Sequence, residues 1–253
     1  MRVRAGLLVL SLGVMAGCST GVATPAAIRP APTNTNRPSI VYAAVGASET
    51  LGVGATRATT DAWPQVFFRT ALPPAAIYYN FGLSGDTVSE AQSDQAPEAL
   101  GIDPTLVTVW LNVNDLLAGV PPASYRVQLQ GLVHALRRDG KAQVLVANTP
   151  YVDRLPVYLA CQGKPASSTI RCPMSPVVHL EPAAINGLVD AYNVAIAAVV
   201  KQEGAVLVDL HARGEIPDTH PEWVSADGFH PSSAGYAAIA AIFAERYRDI
   251  KPP

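Results

Sequence analysis

The sequence is short of charge. Lys and Arg total 18 and Asp and Glu total 20 among 253 residues. That near balance leaves no basic stripe with which to grip phosphates, so nucleic acid is set aside as a partner. Scarce charge beside 49% hydrophobic residues also excludes a disordered chain. Cysteine is scarcer still, three in all. No His/Cys cluster has metal-ligand spacing, so neither a metal nor another cofactor is expected. No internal repeat marks a solenoid or propeller. The apolar run nearest the N-terminus, residues 7–15, is too short to span a bilayer comfortably. What remains is enough chain for one folded domain of about 200 residues plus a leader.

The first residues have the form of an address. Arg2 and Arg4 precede the apolar stretch, and Ala16 and Gly17 supply small residues before a cleavage point. The segment Val14-Met15-Ala16-Gly17-Cys18 resembles the lipobox of bacterial lipoproteins, where the cysteine is diacylated and becomes the mature N-terminus. The resemblance implies a signal over residues 1–18, lipidation of Cys18, and an extracytoplasmic protein held on a membrane by acyl chains. Each buried methylene of such a chain contributes about 0.8 kcal/mol. Residues 19–38 are rich in Pro, Ala and Thr without apolar periodicity and read as a tether, leaving residues 39–253 as the domain. With Cys18 lipidated, Cys161 and Cys172 form an even pair in an oxidising compartment, and a disulfide across the polar stretch 162–171 is expected.

From residue 40 onward, short apolar runs alternate with amphipathic stretches. Strands are expected over 40–45, 76–80, 106–111, 143–147 and 205–210. Helices are expected over 63–71, 87–96, 124–138, 182–203 and 233–246. Asp61, Ser124 and Ser233 are the candidate caps, and Gly140 a candidate stop. The alternation implies an α/β fold, a three-layer α/β/α sandwich around a five-stranded, mainly parallel sheet. Ligands of such sheets bind beyond the carboxyl ends of the strands.

Four strand-end loops carry residues capable of chemistry. Ser48 follows the first strand, where a serine either turns its hydroxyl into the open mouth or caps the next helix. Gly82 and Gly85 follow the second, where glycine lets backbone N–H groups approach a ligand or serves an ordinary turn. Asn114 follows the third and can donate an uncharged hydrogen bond to an oxyanion, or cap a helix. Asp227 and His230 stand three apart before the last helix, a spacing that lets one loop deliver a base and its orienting carboxylate. Each loop alone leaves both uses open.

Together, GAS (46–48), SGDT (84–87), NVND (112–115) and DGFHP (227–231) resemble, in order and wording, the blocks of the SGNH (GDSL-type) hydrolases. Ala62-Trp63-Pro64 and Ala191-Tyr192-Asn193 resemble segments of that family's bacterial thioesterase/lysophospholipase branch. The resemblance implies Ser48 as nucleophile, His230 as general base and Asp227 as its orienting group. It further implies an oxyanion hole from the Ser48 and Gly85 N–H groups and the Asn114 amide. Two positions depart from the family: its first-block Asp is Ala47 here, and its third-block Gly is Asn112. Glu49 beside the nucleophile either compensates for the missing first-block carboxylate or, the reading adopted, is a solvated surface carboxylate. His134, His179, His211 and His220 read as structural or exposed.

The long connection 150–181 is expected to supply an acyl pocket from Tyr151, Leu155, Val157, Tyr158 and Leu159, with the bridge pinning a lid; the alternative is that these residues cover the sheet edge. The resemblance implies a serine esterase that cleaves short-chain or lipid-like acyl esters through an acyl-serine; a monomer is expected. The alternatives are O-deacetylation of polysaccharide and a non-catalytic envelope lipoprotein that binds ligand in the same cleft.

Overall fold

A computed structural model describes residues 40–162, 170–213 and 219–250. The expected address, Cys18 and the tether over 19–38 lie outside the described residues, as do residues 163–169 between the two cysteines.

The chain runs β1 (Val41–Gly46), α1 (Ser48–Leu51), α2 (Ala58–Asp61), α3 (Trp63–Ala71), β2 (Ile77–Asn80), α4 (Val88–Gly101) and β3 (Leu106–Trp110). It continues α5 (Val113–Leu117), α6 (Pro122–Arg137), β4 (Gln143–Ala147), α7 (Pro156–Cys161), α8 (Pro182–Glu203), β5 (Val206–Val208) and α9 (Ser233–Arg248). The five strands form one sheet in the order β2-β1-β3-β4-β5, and every pairing is parallel.

Alternation along the strands divides the core in two. Ala43, Val45, Val107, Val109, Val144 and Val146 point to one face, where they meet apolar residues of α4, α6 and α8. Tyr42, Ala44, Leu106, Trp110, Leu145 and Ala147 point to the other, against α3 and α9. A strand with helices on both faces must be apolar at both parities, which explains the unbroken apolar runs. The few aromatic residues are concentrated on the second face. Trp63 of α3 stacks on Phe243 of α9 with ring centroids 4.1 Å apart, fastening the last helix to the third.

Several expected boundaries move. Asp61 does not cap α3. It closes α2 and accepts hydrogen bonds from Thr60 and from Ser233 at the start of α9. Ser232 caps α9 instead, its hydroxyl accepting the Gly235 N–H. Ser124 lies inside the first turn of α6, which starts on Pro122, a residue preset for that position. Arg138, not Gly140, ends α6 in the left-handed region at φ 51°. Two contacts compensate for that backbone: the Arg138 guanidinium bonds the Pro104 carbonyl and the Asp103 carboxylate. α4 begins as its Thr87 and Glu90 suggest, with both halves of a capping box, but runs beyond residue 96 to Gly101.

Candidate active site

At the end of β1 the chain turns with no room for a side chain. A Cβ on Gly46 would lie 1.9 Å from Thr50 Oγ1. Ala47 occupies the cap position, and Ser48 becomes the first residue of α1. Its N–H is therefore one of the donors that a helix start leaves without an internal partner. The Ser48 side chain is nearly buried, and its Oγ lies 3.0 Å from His230 Nε2, 182 residues away in sequence.

His230 sits on a loop that is itself tightly held. Val224 and Pro231 form an antiparallel bridge, and the Ser225 N–H donates to the His230 carbonyl at 2.8 Å. Inside this loop Asp227 accepts four hydrogen bonds. One carboxylate oxygen receives the Ser225 hydroxyl (2.8 Å) and the backbone N–H groups of Phe229 (2.8 Å) and His230 (2.9 Å). The other receives His230 Nδ1 at 2.6 Å. Burial pushes the Asp227 carboxyl up, but these donors together outweigh it and hold the group below its ordinary range. An ionised carboxylate only accepts, so the imidazole proton is on Nδ1. Nε2 then carries the lone pair that faces the Ser48 hydroxyl.

The loops after β2 and β3, the sheet neighbours of β1, close the other side. Gly85 lies at φ 91°, a conformation open to glycine, and a Cβ added there would meet nothing within 4 Å. Among the described residues, no acceptor takes the Ser48 N–H or the Gly85 N–H. Asn114 in α5 donates one amide N–H to the Asp86 carbonyl at 2.9 Å, leaving its second N–H to point elsewhere. The Leu83 N–H donates to the Gly46 carbonyl at 3.1 Å, which joins the second loop to the first.

Two residues that the sequence left without a role complete this frame. Gln95 of α4 is buried; its amide oxygen takes the Gly46 N–H, and its amide nitrogen reaches the Gly46 carbonyl and Asp86, each at 2.9 Å. With Ala47 packed into the core, this glutamine ties the nucleophile turn to its surroundings. Asp115 is fully buried and accepts the Val88 N–H at the start of α4 through both oxygens, at 3.1 and 3.2 Å. Burial lifts its carboxyl to about 6 despite that donor. Asn112, the second departure from the family pattern, buries its side-chain oxygen with no partner among the described residues.

The expectation for Glu49 is corrected. It is not a solvated carboxylate: it is buried beside Ser48, with the hydroxyl 3.3 Å from its Oε2. Burial raises its carboxyl above the ordinary range, against smaller opposing effects of its own N–H, His230 and Ser48. Glu49 also lines an apolar cavity of about 80 Å³. Of the expected pocket residues, Tyr151 and Leu155 line this cavity; Val157, Tyr158 and Leu159 do not. Val157 is buried beneath Gly228, to whose carbonyl it donates its N–H. Tyr158 is in the core, its hydroxyl given to the Leu180 carbonyl at 2.7 Å, and Leu159 packs on the same apolar cluster. A buried phenol needs an acceptor, and the segment just before α8 supplies one. The rest of the wall includes Trp110, Leu210, Phe229, Ile239 and Ile242, scattered over strand ends, the loop before α9 and α9 itself.

Cys161 and Cys172 form a disulfide with Cα atoms 5.6 Å apart. Three of the other four histidines are engaged elsewhere: His211 with the Thr149 carbonyl and the Tyr151 ring, His220 with Glu222 and Trp223, His134 with Glu203. Asp209 serves Asn148 and the Ala212 N–H, not His211.

The chain matches the sequence profile of the GDSL-like lipase/acylhydrolase family over residues 44–238, a span holding all four strand-end loops. No curated protein sequence gives a match. Among solved structures it is similar to a lipase/acylhydrolase from Enterococcus faecalis, with 22% identity and a TM-score of 0.61 over 85% of this chain and 98% of that one. It is similar to a family 3 carbohydrate esterase from Clostridium thermocellum, with 20% identity and a TM-score of 0.59 over 83% and 96%. A psychrotrophic esterase from Pseudoalteromonas shares 14% identity and a TM-score of 0.59 over 83% and 97%. At these identities the structural likeness shows the α/β fold.

Proposed function

We propose, from the premise that the chain belongs to the GDSL-like lipase/acylhydrolase family and is a carboxylic ester hydrolase, that it cleaves esters of short acyl groups through an acyl-serine at Ser48. The observation that carries this reading is the unbroken line of hydrogen bonds from Ser48 Oγ through His230 to Asp227.

In this reading Ser48 Oγ attacks the ester carbonyl while its proton passes to His230 Nε2. Asp227 keeps the ring in the productive tautomer and stabilises the imidazolium. The carbonyl oxygen becomes an anion, met by the two uncommitted N–H groups of Ser48 and Gly85 and by the second amide N–H of Asn114. Each such donor is typically worth about 3 kcal/mol of barrier. The tetrahedral adduct expels the alcohol, which takes the proton from Nε2, and water repeats the sequence to release the acid.

The size of the acyl group is read from the apolar cavity, which adjoins the nucleophile through Glu49; Ser48 and His230 themselves are not among its lining residues. An engineered apolar cavity of about 150 Å³ holds benzene, so one of about 80 Å³ holds roughly three or four non-hydrogen atoms. That suits acetyl to butyryl groups and not a long lipid chain. Removal of O-acetyl groups from polysaccharide is a second reading favoured by the same small cavity, and one similar structure is a carbohydrate esterase. The lipobox-like segment and the disulfide together support an extracytoplasmic, membrane-anchored site of action.

Hydrolysis of p-nitrophenyl acetate, butyrate and octanoate tests the proposal. The expected result is kcat/KM highest for the two short esters and lower by about tenfold or more for octanoate, since forcing a chain that overfills a packed apolar site costs about 1–3 kcal/mol. Turnover should vanish in Ser48→Ala. A rate that rises steadily with acyl length, or that survives in Ser48→Ala, contradicts it.

A further inference from the structure

Among the described residues, Glu49 is the one charged residue on the wall of the cavity. Besides its own backbone N–H, the Ser48 hydroxyl is the only hydrogen-bond partner of its carboxyl group among the described residues. No Lys or Arg pairs with it there. The groups that face it come from three elements: Ser48 from its own helix, Asp227 and His230 from the loop before α9, and Tyr236 from α9. Asp227 is an anion and opposes ionisation of Glu49. Tyr236 is a neutral phenol whose hydroxyl is given to the Val53 carbonyl at 2.6 Å. His230 favours a Glu49 anion only when it is itself protonated.

The Ser48 hydroxyl has one proton and two acceptor lone pairs. Two groups stand within reach of that oxygen, His230 Nε2 at 3.0 Å and Glu49 Oε2 at 3.3 Å. Were Glu49 a carboxylate, both would be acceptors competing for one proton. One outcome leaves a buried anion with no side-chain donor; the other turns the nucleophile away from its base. An anion there would also repel the negative charge that develops on the substrate. With Glu49 protonated the conflict disappears, because Glu49 gives a hydrogen bond to Ser48 Oγ and Ser48 gives one to His230.

We propose that Glu49 works as a neutral carboxylic acid and is a positioning residue for the nucleophile, its O–H donating to Ser48 Oγ and so aiming the single Ser48 proton at His230 Nε2. The inference rests on the ester-hydrolase reading above. No proton leaves Glu49 during turnover: the proton that moves is that of Ser48, to His230 and then to the leaving alkoxide. Burial supports the acid form, since it raises the Glu49 carboxyl above the usual carboxylate range. Loss of that proton at higher pH should switch the hydrogen bond around and slow acylation.

The test compares kcat and KM for p-nitrophenyl acetate from about pH 5 to about pH 9 in wild type, Glu49→Gln and Glu49→Leu. Wild-type kcat should fall on the alkaline side at nearly constant KM. Glu49→Gln, a neutral donor at every pH, should stay within about threefold of the wild-type maximum and lose that alkaline fall. Glu49→Leu should lose about tenfold in kcat with little change in KM. An identical alkaline limb in wild type and Glu49→Gln, or an unchanged kcat in Glu49→Leu, overturns the proposal. An infrared difference spectrum of wild type against Glu49→Gln at neutral pH should show a carboxylic-acid C=O band, and its absence overturns the proposal whatever the activity. A wild type that turns over no ester, or a Ser48→Ala variant that does, sinks the ester-hydrolase reading instead.

Discussion

At the scale of the residue, the imidazole of His230 is gripped at both nitrogens, and the two contacts do different work. The Nδ1 contact to Asp227 selects the tautomer; the Nε2 contact points at the Ser48 hydroxyl. Asp227→Asn preserves shape but replaces an acceptor with a group that also donates, so the ring can flip its proton to Nε2. The expected cost is on the order of 10⁴ in kcat with little change in KM, measured on p-nitrophenyl acetate. Asn114→Ala, which removes one donor to the oxyanion, should cost about 10² to 10³ in kcat by the same assay. Losses below about tenfold in both variants would remove these side chains from the chemistry. Ser48, Asp227 and His230 were visible in the sequence because each sits in a short local motif. The burial of Glu49 and the role of Gln95 were not. Whether a glutamate beside a serine faces water or a cavity is decided by α9 and the loop before it, far along the chain. Gln95 looks like an ordinary exposed position of a polar helix until α4 is laid against the Gly46 turn.

At the scale of the element, Asp115 shows how neighbouring loops are locked to one another. It lies in α5, yet its carboxylate binds the first N–H of α4, so the helix bearing Asn114 is tied to the helix bearing Gln95. Burial lifts the Asp115 carboxyl to about 6. In the unfolded chain an aspartate titrates near pH 3.9. As pH rises from about 4, the unfolded state therefore releases its proton first, and the folded state holds more protons until pH reaches its own titration. The contribution is fully present below about pH 4 and is lost by the time pH has passed 6. Holding the proton over that range of pH corresponds to on the order of 3 kcal/mol. Asp115→Asn does not titrate. Its unfolding free energy relative to wild type should rise by about that amount between pH 4 and 7 in urea denaturation. A difference independent of pH would show that the carboxyl is not held above its ordinary range. Strands and long helices were legible from periodicity alone, because burial on both faces writes unbroken apolar runs and one-sided helices write stripes. The caps were less legible. Ser232 and Ser233 are adjacent and chemically identical; only the direction of the chain entering α9 decides which hydroxyl meets the Gly235 N–H.

At the scale of the whole molecule, the order β2-β1-β3 puts three functional loops side by side, although their residues span positions 48 to 114 in sequence. The fourth loop arrives from the far end of the chain because α9 packs beside α3 through Trp63 and Phe243, which delivers His230 over β1. Alternating elements made this architecture readable; the cavity was not readable, since its wall is assembled from residues of unrelated segments. Tyr158 and Leu159 illustrate the limit. They look like the pocket-lining Tyr151 and Leu155 in composition, but the α7 turn carries them to the opposite, core-facing side. The disulfide acts on the same connection. Its cysteines are separated by 11 residues, a loop whose closure is worth roughly 3 kcal/mol in the chain-entropy model. Reduction should lower the melting temperature by roughly 6–12 °C for a domain of this size, and an unchanged melting curve under reductant would show that the bridge carries no stability.

The central claim is that Ser48 is the activated nucleophile, and covalent capture tests it most directly. Incubation with a fluorophosphonate, followed by peptide mass spectrometry, should find one adduct, on Ser48, formed far more slowly in His230→Ala. An unlabelled Ser48 in a folded wild-type protein, or labelling that is indifferent to His230, would contradict the account.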